Sequence, residues 1–159
     1  INYRLVVLPI FSKITLIIYL INMRKNILIT GGAGFIGSNL CKYFIEEGNN
    51  VYTIDNLSTG FLKNIPSGVK FIKGNCQDQK LISTLENLNF DAIFHIAGQS
   101  SGEVSFDNPI YDLESNTTST LLLLELALKT NCTKFLFASS MSTYGFNENK
   151  IINEDIIQK

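Results

Sequence analysis

The segment Ile27-Leu28-Ile29-Thr30-Gly31-Gly32-Ala33-Gly34-Phe35-Ile36-Gly37-Ser38-Asn39-Leu40 constrains this chain more than any other, because an apolar strand runs directly into a glycine-spaced turn that opens a helix. Gly31 permits the sharp turn off the strand, Gly34 leaves bare backbone where a phosphate would approach, and Gly37 lets helix and strand pack closely. An anion placed there meets the unpaired N–H groups and positive dipole end of the helix. An ordinary tight strand-to-helix connection could use the same glycines, so the flanking residues must decide.

They favour a dinucleotide. The helix carries Ile36, Leu40 and Phe44 at fourfold spacing, continues through Ile45 and stops at Gly48; Val51 to Ile54 then reads as a second strand. Asp55 stands at its end, eighteen residues after Gly37. A carboxylate at that place accepts hydrogen bonds from the adenosine ribose hydroxyls and repels a 2′-phosphate. The only basic residue between Ser38 and Leu62 is Lys42, on the helix and not at the strand end. The expected cofactor is therefore NAD and not NADP.

The remaining pattern is that of an α/β protein. After the polar turn Asn56-Leu57-Ser58-Thr59-Gly60, the stretch Phe61 to Gly68 is too short and too interrupted by Pro66 for a crossover helix. Val69 to Ile72 reads as a third strand. Asp78 is placed to cap a helix bearing Leu81, Ile82, Leu85 and Leu88, and Ala92 to Ala97 reads as a buried fourth strand. A long helix is predicted from Asn108-Pro109, with Leu113, Thr117, Leu121, Leu124 and Leu128 on one face, followed by a fifth strand over Lys134 to Ala138. Apolar strands alternating with helices predict a Rossmann-type, doubly wound parallel sheet covered on both faces. Its ligand crevice lies beyond the strands' carboxyl ends, so Gly31 to Gly37, Asp55, Ala97-Gly98 and Ser139-Ser140 are expected to converge there.

Composition narrows the function. A net charge of -1 offers no electrostatic footprint for nucleic acid. Cys41, Cys76 and Cys132 have no metal-ligand spacing and read as reduced thiols of a cytoplasmic protein, and the single histidine, His95, excludes a multi-histidine metal site. Residues 1–22 are apolar but broken by Pro9, Ser12, Lys13 and Thr15; a lysine near the centre of a membrane span costs about 2.5–3.5 kcal/mol, which argues against an anchor. Met23-Arg24-Lys25-Asn26 immediately precedes the first strand, so the domain is expected over residues 23–159, with 1–22 outside the fold.

The ordered set resembles the extended short-chain dehydrogenase/reductase family, in particular its NAD-dependent nucleotide-sugar epimerases and dehydratases. The matching pieces are Thr30 to Gly37, Asp55 to Gly60, Gly74-Asn75-Cys76-Gln77-Asp78, His95-Ile96-Ala97-Gly98-Gln99, Asn116, and Ser139-Ser140-Met141-Ser142-Thr143-Tyr144-Gly145. The resemblance implies that the amides of Phe35 and Ile36 meet the pyrophosphate and that Asp55 and Asn56 hold the adenosine ribose, with Ser58, Thr59 and Gly60 in the same cofactor-binding turn. Asn75 and Cys76 would flank the adenine; the family usually has an aspartate at 75, so charge assistance to the adenine amino group is lost. Ile96, Ala97 and Gly98 would line the nicotinamide-ribose side, with Ser115 or Asn116 nearby. Ser140 is the expected catalytic residue, hydrogen-bonding the sugar hydroxyl while a tyrosine removes its proton. His95, on a buried strand, is expected to be structural.

The resemblance also implies a Tyr-x-x-x-Lys pair and a substrate lobe. Tyr144 does not begin such a pair, because Glu148 stands four residues on. The expectation is therefore a fragment, truncated before the last strands and substrate lobe, without turnover by itself. Dehydratases of the family follow the active-site threonine with two carboxylates, where this chain has Met141 and Ser142. Epimerisation of a nucleotide sugar, a UDP-sugar foremost, is favoured on that ground, by a homodimer when full length. Decarboxylation, reduction and a non-catalytic dinucleotide-binding module stay open.

Overall fold

The computed structural model describes residues 24–145. Five parallel strands form one sheet in the order β3-β2-β1-β4-β5: β1 (Asn26–Thr30), β2 (Asn50–Asp55), β3 (Lys70–Lys73), β4 (Ala92–His95) and β5 (Lys134–Phe137). Strand order reverses at β1, which pairs with β2 on one side and β4 on the other. That switch point opens a crevice beyond the strands' carboxyl ends, where β1 and β4 part company.

Alternation along β1 explains why both faces are covered. Leu28 points to one face and joins Ile54, Ile82, Leu85, Phe90, Ile93, Leu123 and Leu126 in a core cluster. Ile27 and Ile29 point to the other and pack with Val51, Ala92 and Cys41, the last from α1 (Phe35–Glu46). Covering is complete over β1, β2 and most of β4, as expected of a parallel sheet. The edge strands β3 and β5 depart from it, and Leu136 and Phe137 are about half exposed.

The polar turn after Asp55 leads, as expected, to no crossover helix, only a single 3-10 turn over Leu62–Asn64. Strand β3 runs one residue later than the sequence pattern placed it. Helix α2 (Gln79–Ser83) begins where Asp78 accepts hydrogen bonds from the amides of Lys80 and Leu81, at 2.9 and 3.3 Å, as a capping carboxylate should. In α1 the apolar stripe is shorter than predicted. Leu40 and Phe44 pack on the sheet, but Ile36 is 58% exposed at the mouth of the crevice.

Beyond α3 (Gly102–Asp107), the long helix is the main correction. It consists of α4 (Pro109–Leu113), a π-helical turn over Glu114–Thr118, and α5 (Ser119–Lys129). The π turn adds a residue to the helical repeat and rotates the register. The buried face is Ser119, Leu123, Leu126, Ala127 and Thr130, whereas Leu113, Thr117, Leu121, Leu124 and Leu128, the pattern read from sequence, lie exposed before, within and after the turn. In the monomer, Leu128→Gln should therefore change stability by no more than about 0.5 kcal/mol in a urea titration run at a concentration too low for dimers. A loss of several kcal/mol there would put Leu128 in the core.

Strand β4 also ends earlier than predicted, at His95. The amides of Ile96 and Ala97 leave the ladder and donate to the Thr30 side chain, at 3.1 and 3.0 Å. The chain thereby peels away from the sheet and becomes a wall of the crevice. The apolar segment 1–22 lies outside the described residues; among those described, no helix is long and apolar enough to cross a membrane.

Candidate dinucleotide site

The crevice is a cavity of about 620 Å³. The glycine turn, Phe35 and Ile36 line one end; Asp55, Asn56, Ser58, Thr59, Gly60, Asn75 and Cys76 line one side; Ile96, Ala97, Gly98 and Ser115 line the far side. Sequence reasoning placed all of these in the site. Among the described residues, no lysine or arginine lines the cavity, so nothing there compensates a 2′-phosphate.

The turn has the shape its glycines require. Gly31 sits at φ +75°, with any Cβ 3.0 Å from the Ala97 nitrogen. At Gly37 a Cβ would fall 2.1 Å from the Gly31 carbonyl oxygen, inside the turn itself. The N-terminus of α1 receives no side-chain cap, because Gly34 occupies the capping position. The first-turn N–H groups therefore face the cavity without an intrahelical or side-chain acceptor, the condition for binding an anion.

Asp55 helps build this turn as well as line it. One carboxylate oxygen accepts from the Ala33 amide at 2.9 Å and the other from the Leu57 amide at 2.8 Å. Each oxygen keeps a lone-pair direction for a ribose hydroxyl. Asn56 donates to the side-chain oxygen of Asn75 at 2.8 Å, leaving that oxygen one further acceptor site for an amino group. Burial, with the negative charge of Asp55 adding to it, pushes the Cys76 thiol up to about 12. Burial likewise raises Cys41 to about 11. Both stay protonated at neutral pH and serve as packing, not as nucleophiles.

On the far side the two candidates separate. The Asn116 side chain does not line the cavity: its oxygen accepts from the Gln99 amide at 2.9 Å and its nitrogen donates to the Gln99 carbonyl at 3.0 Å. Ser115 does line it, and its buried hydroxyl has no hydrogen-bond partner. Gln99, the last residue of the matching piece that begins at His95, continues this wall, and Ser100, Ser101, Val104 and Tyr111, not picked out from sequence, extend it. Their signal was indirect: Asp112, one turn before Asn116, accepts from the side chains of Gln99 and Ser105, both at 2.7 Å, and ties the 99–105 segment to the helix.

Ser139 and Ser140 follow β5 at the carboxyl edge of the sheet but are not among the lining residues, so the expected convergence is partial. The Ser140 hydroxyl accepts from the Ser142 amide at 3.1 Å and retains its own proton for donation. His95 is 1% exposed, enclosed between the Thr30 and Thr120 hydroxyls, and burial pushes it down to about 4. It is neutral at physiological pH and lies behind the cavity wall, as a structural histidine would. Among the described residues no cluster of histidine, cysteine or carboxylate side chains could hold a metal ion.

A profile of the NAD dependent epimerase/dehydratase family matches residues 27–158. The chain belongs to this family. Within it, a UDP-glucose 4-epimerase of Streptomyces lividans is 34% identical over 125 residues, covering 77% of the chain and 38% of the relative. UDP-glucuronic acid decarboxylase 1 of Danio rerio is 36% identical over 132 residues, covering 83% and 31%. Among solved family structures, UDP-glucose 4-epimerase of Thermus thermophilus in complex with NAD superimposes with a TM-score of 0.75 at 33% identity, over 84% of the chain and 44% of that structure. The chain thus spans less than half the length of each of these epimerase/dehydratase relatives.

Proposed function

We propose that this chain supplies the NAD-binding part of a nucleotide-sugar epimerase, with a UDP-sugar as substrate. One observation carries the reading: a single cavity is bordered by an uncapped helix N-terminus on a glycine turn, the Asp55 carboxylate at a strand end and a wall peeled off the neighbouring strand. Its volume is within the range of small-molecule sites and its residues suit an uncharged-ribose dinucleotide. Phe35 and Ile36 would give their amides to the pyrophosphate, Asp55 and Asn56 would take the adenosine ribose, and Ser115 has an unused hydroxyl on the nicotinamide side. NAD, when bound, takes hydride from a sugar carbon and returns it.

Ser140 would hydrogen-bond the reacting sugar hydroxyl and keep its own proton, while a base elsewhere in the protein removes the sugar hydroxyl proton. Met141 and Ser142 have no acid or base to offer for water elimination, which favours epimerisation over dehydration. Decarboxylation is a second reading, favoured by the Danio rerio relative at comparable identity. The exposed leucines of α4 and α5 supply an apolar surface for a homodimer, and we assign the enzyme to the cytoplasm.

Calorimetric titration of the whole protein should show NAD binding and markedly weaker NADP binding. Incubation with UDP-glucose should then yield UDP-galactose. Carbon dioxide from UDP-glucuronic acid, with no change in UDP-glucose, would replace the epimerase with a decarboxylase. Cofactor binding without turnover of either sugar would leave a dinucleotide-binding module.

A further inference from the structure

We propose that His95 is a positioning residue: with Thr30 and Thr120 it forms a one-way hydrogen-bond series that fixes the cavity wall Ile96–Gln99 from both ends. The inference rests on the reading of the cavity as a dinucleotide site. It starts from a count of lone pairs. The Thr30 hydroxyl oxygen accepts from the amides of Ile96 and Ala97, at 3.1 and 3.0 Å, so both its acceptor sites are used. That leaves its proton for His95 Nδ1, 2.9 Å away. The imidazole then carries its proton on Nε2 and donates to the Thr120 hydroxyl at 3.0 Å, nearer than the Ser119 hydroxyl at 3.4 Å. Thr120 in turn donates to the Asn116 carbonyl at 2.6 Å. The side chain of that same Asn116 brackets Gln99 through its amide and carbonyl.

Every bond of the series runs in one direction, from the amides at the start of the wall to the residue that holds its end. Neutral imidazole is the side chain that both accepts and donates across this span. None of Thr30, His95, Thr120 and Asn116 lines the cavity, yet Ile96, Ala97, Gly98 and Gln99 all do. Each bond in such a chain polarises the next, so a break at one end should be felt at the other.

Thr120→Val tests this, because Thr120 is only half buried and touches neither amide. Amide exchange followed by NMR without ligand should show Ile96 and Ala97 exchanging about five- to tenfold faster, the equivalent of one net hydrogen bond. NAD affinity should weaken about fivefold. Thr120→Ser, which keeps the hydroxyl, should restore both. Unchanged exchange at Ile96 and Ala97 in Thr120→Val would overturn the series itself. Faster exchange with unchanged NAD affinity would overturn its positioning role. Failure of the unaltered protein to bind NAD sinks the dinucleotide reading instead, and is told apart because the exchange experiment uses no ligand.

Discussion

Gly37→Ala is expected to cripple the cofactor site. The added Cβ would lie 2.1 Å from the Gly31 carbonyl oxygen, 2.6 Å from its carbon and 2.9 Å from the Gly32 Cα. All three are backbone atoms of the turn that cups the anion, so no rotamer change relieves the clash. Overpacking of this kind costs about 3 kcal/mol where only backbone can yield. Helix α1 must move away from β1, and the first-turn amides move with it. If a similar energy is lost from the bound state, NAD affinity falls at least a hundredfold. Gly48→Ala is the control: Gly48 has φ +81° but nothing within 4 Å of a Cβ, and it lies at the opposite end of α1. It should cost about 1–2 kcal/mol from the left-handed backbone alone and leave NAD binding intact. Calorimetric titration and thermal unfolding of the two variants separate the outcomes. Equal affinity losses would mean that the turn's shape is not what binds the cofactor.

What could be read from sequence was whatever repeats at short range. The glycine turn, the Asp55 strand end and the Asp78 cap are each fixed by a few neighbouring residues, and the structure has all three in place. The register of the long helix was not legible in the same way. Leu113, Thr117, Leu121, Leu124 and Leu128 repeat as one helical stripe, yet all five face outward while Leu123, Leu126 and Ala127 meet the sheet, and spacing alone does not say which face packs. Nothing in Glu114-Ser115-Asn116-Thr117-Thr118 announces a π turn by composition. Its long-range partner lies outside any local pattern: Asn116, within the turn, is bound to the amide and carbonyl of Gln99. The same reason hid the roles of Ser115 and Asn116, adjacent in sequence, one with a buried hydroxyl left over and the other with its side chain committed to the wall. Ser140 shows the opposite limit: its place after β5 followed from the strand pattern, whereas its distance from the cavity depends on packing that no local pattern encodes.

Acid should destabilise this protein through His95 before most of its carboxylates are protonated. Burial, with no charged partner, lowers the folded-state pKa from 6.5 to about 4. Between those values the unfolded chain binds a proton that the folded one refuses, so stability rises with pH across the window. The contribution is fully present above about pH 6.5, is lost progressively on acidification, and levels off below about pH 4. Integrated over the interval it amounts to about 3 kcal/mol. His95 is 1% exposed, so solvent screening does little to reduce it. The network explains why protonation is resisted: a proton on Nδ1 would face the Thr30 hydroxyl, whose acceptor sites are already taken by Ile96 and Ala97. His95→Gln isolates the effect from that of other acids. Its amide cannot titrate, and it loses the Thr30 bond, so at pH 7.5 the variant should unfold at lower urea than the wild type. As pH falls toward 4 the wild type loses its histidine contribution and the variant does not, and the two stability curves should converge. A gap that stays constant from pH 7.5 to 4 would mean that His95 takes up its proton at the same pH folded and unfolded, so that nothing in the fold resists its protonation.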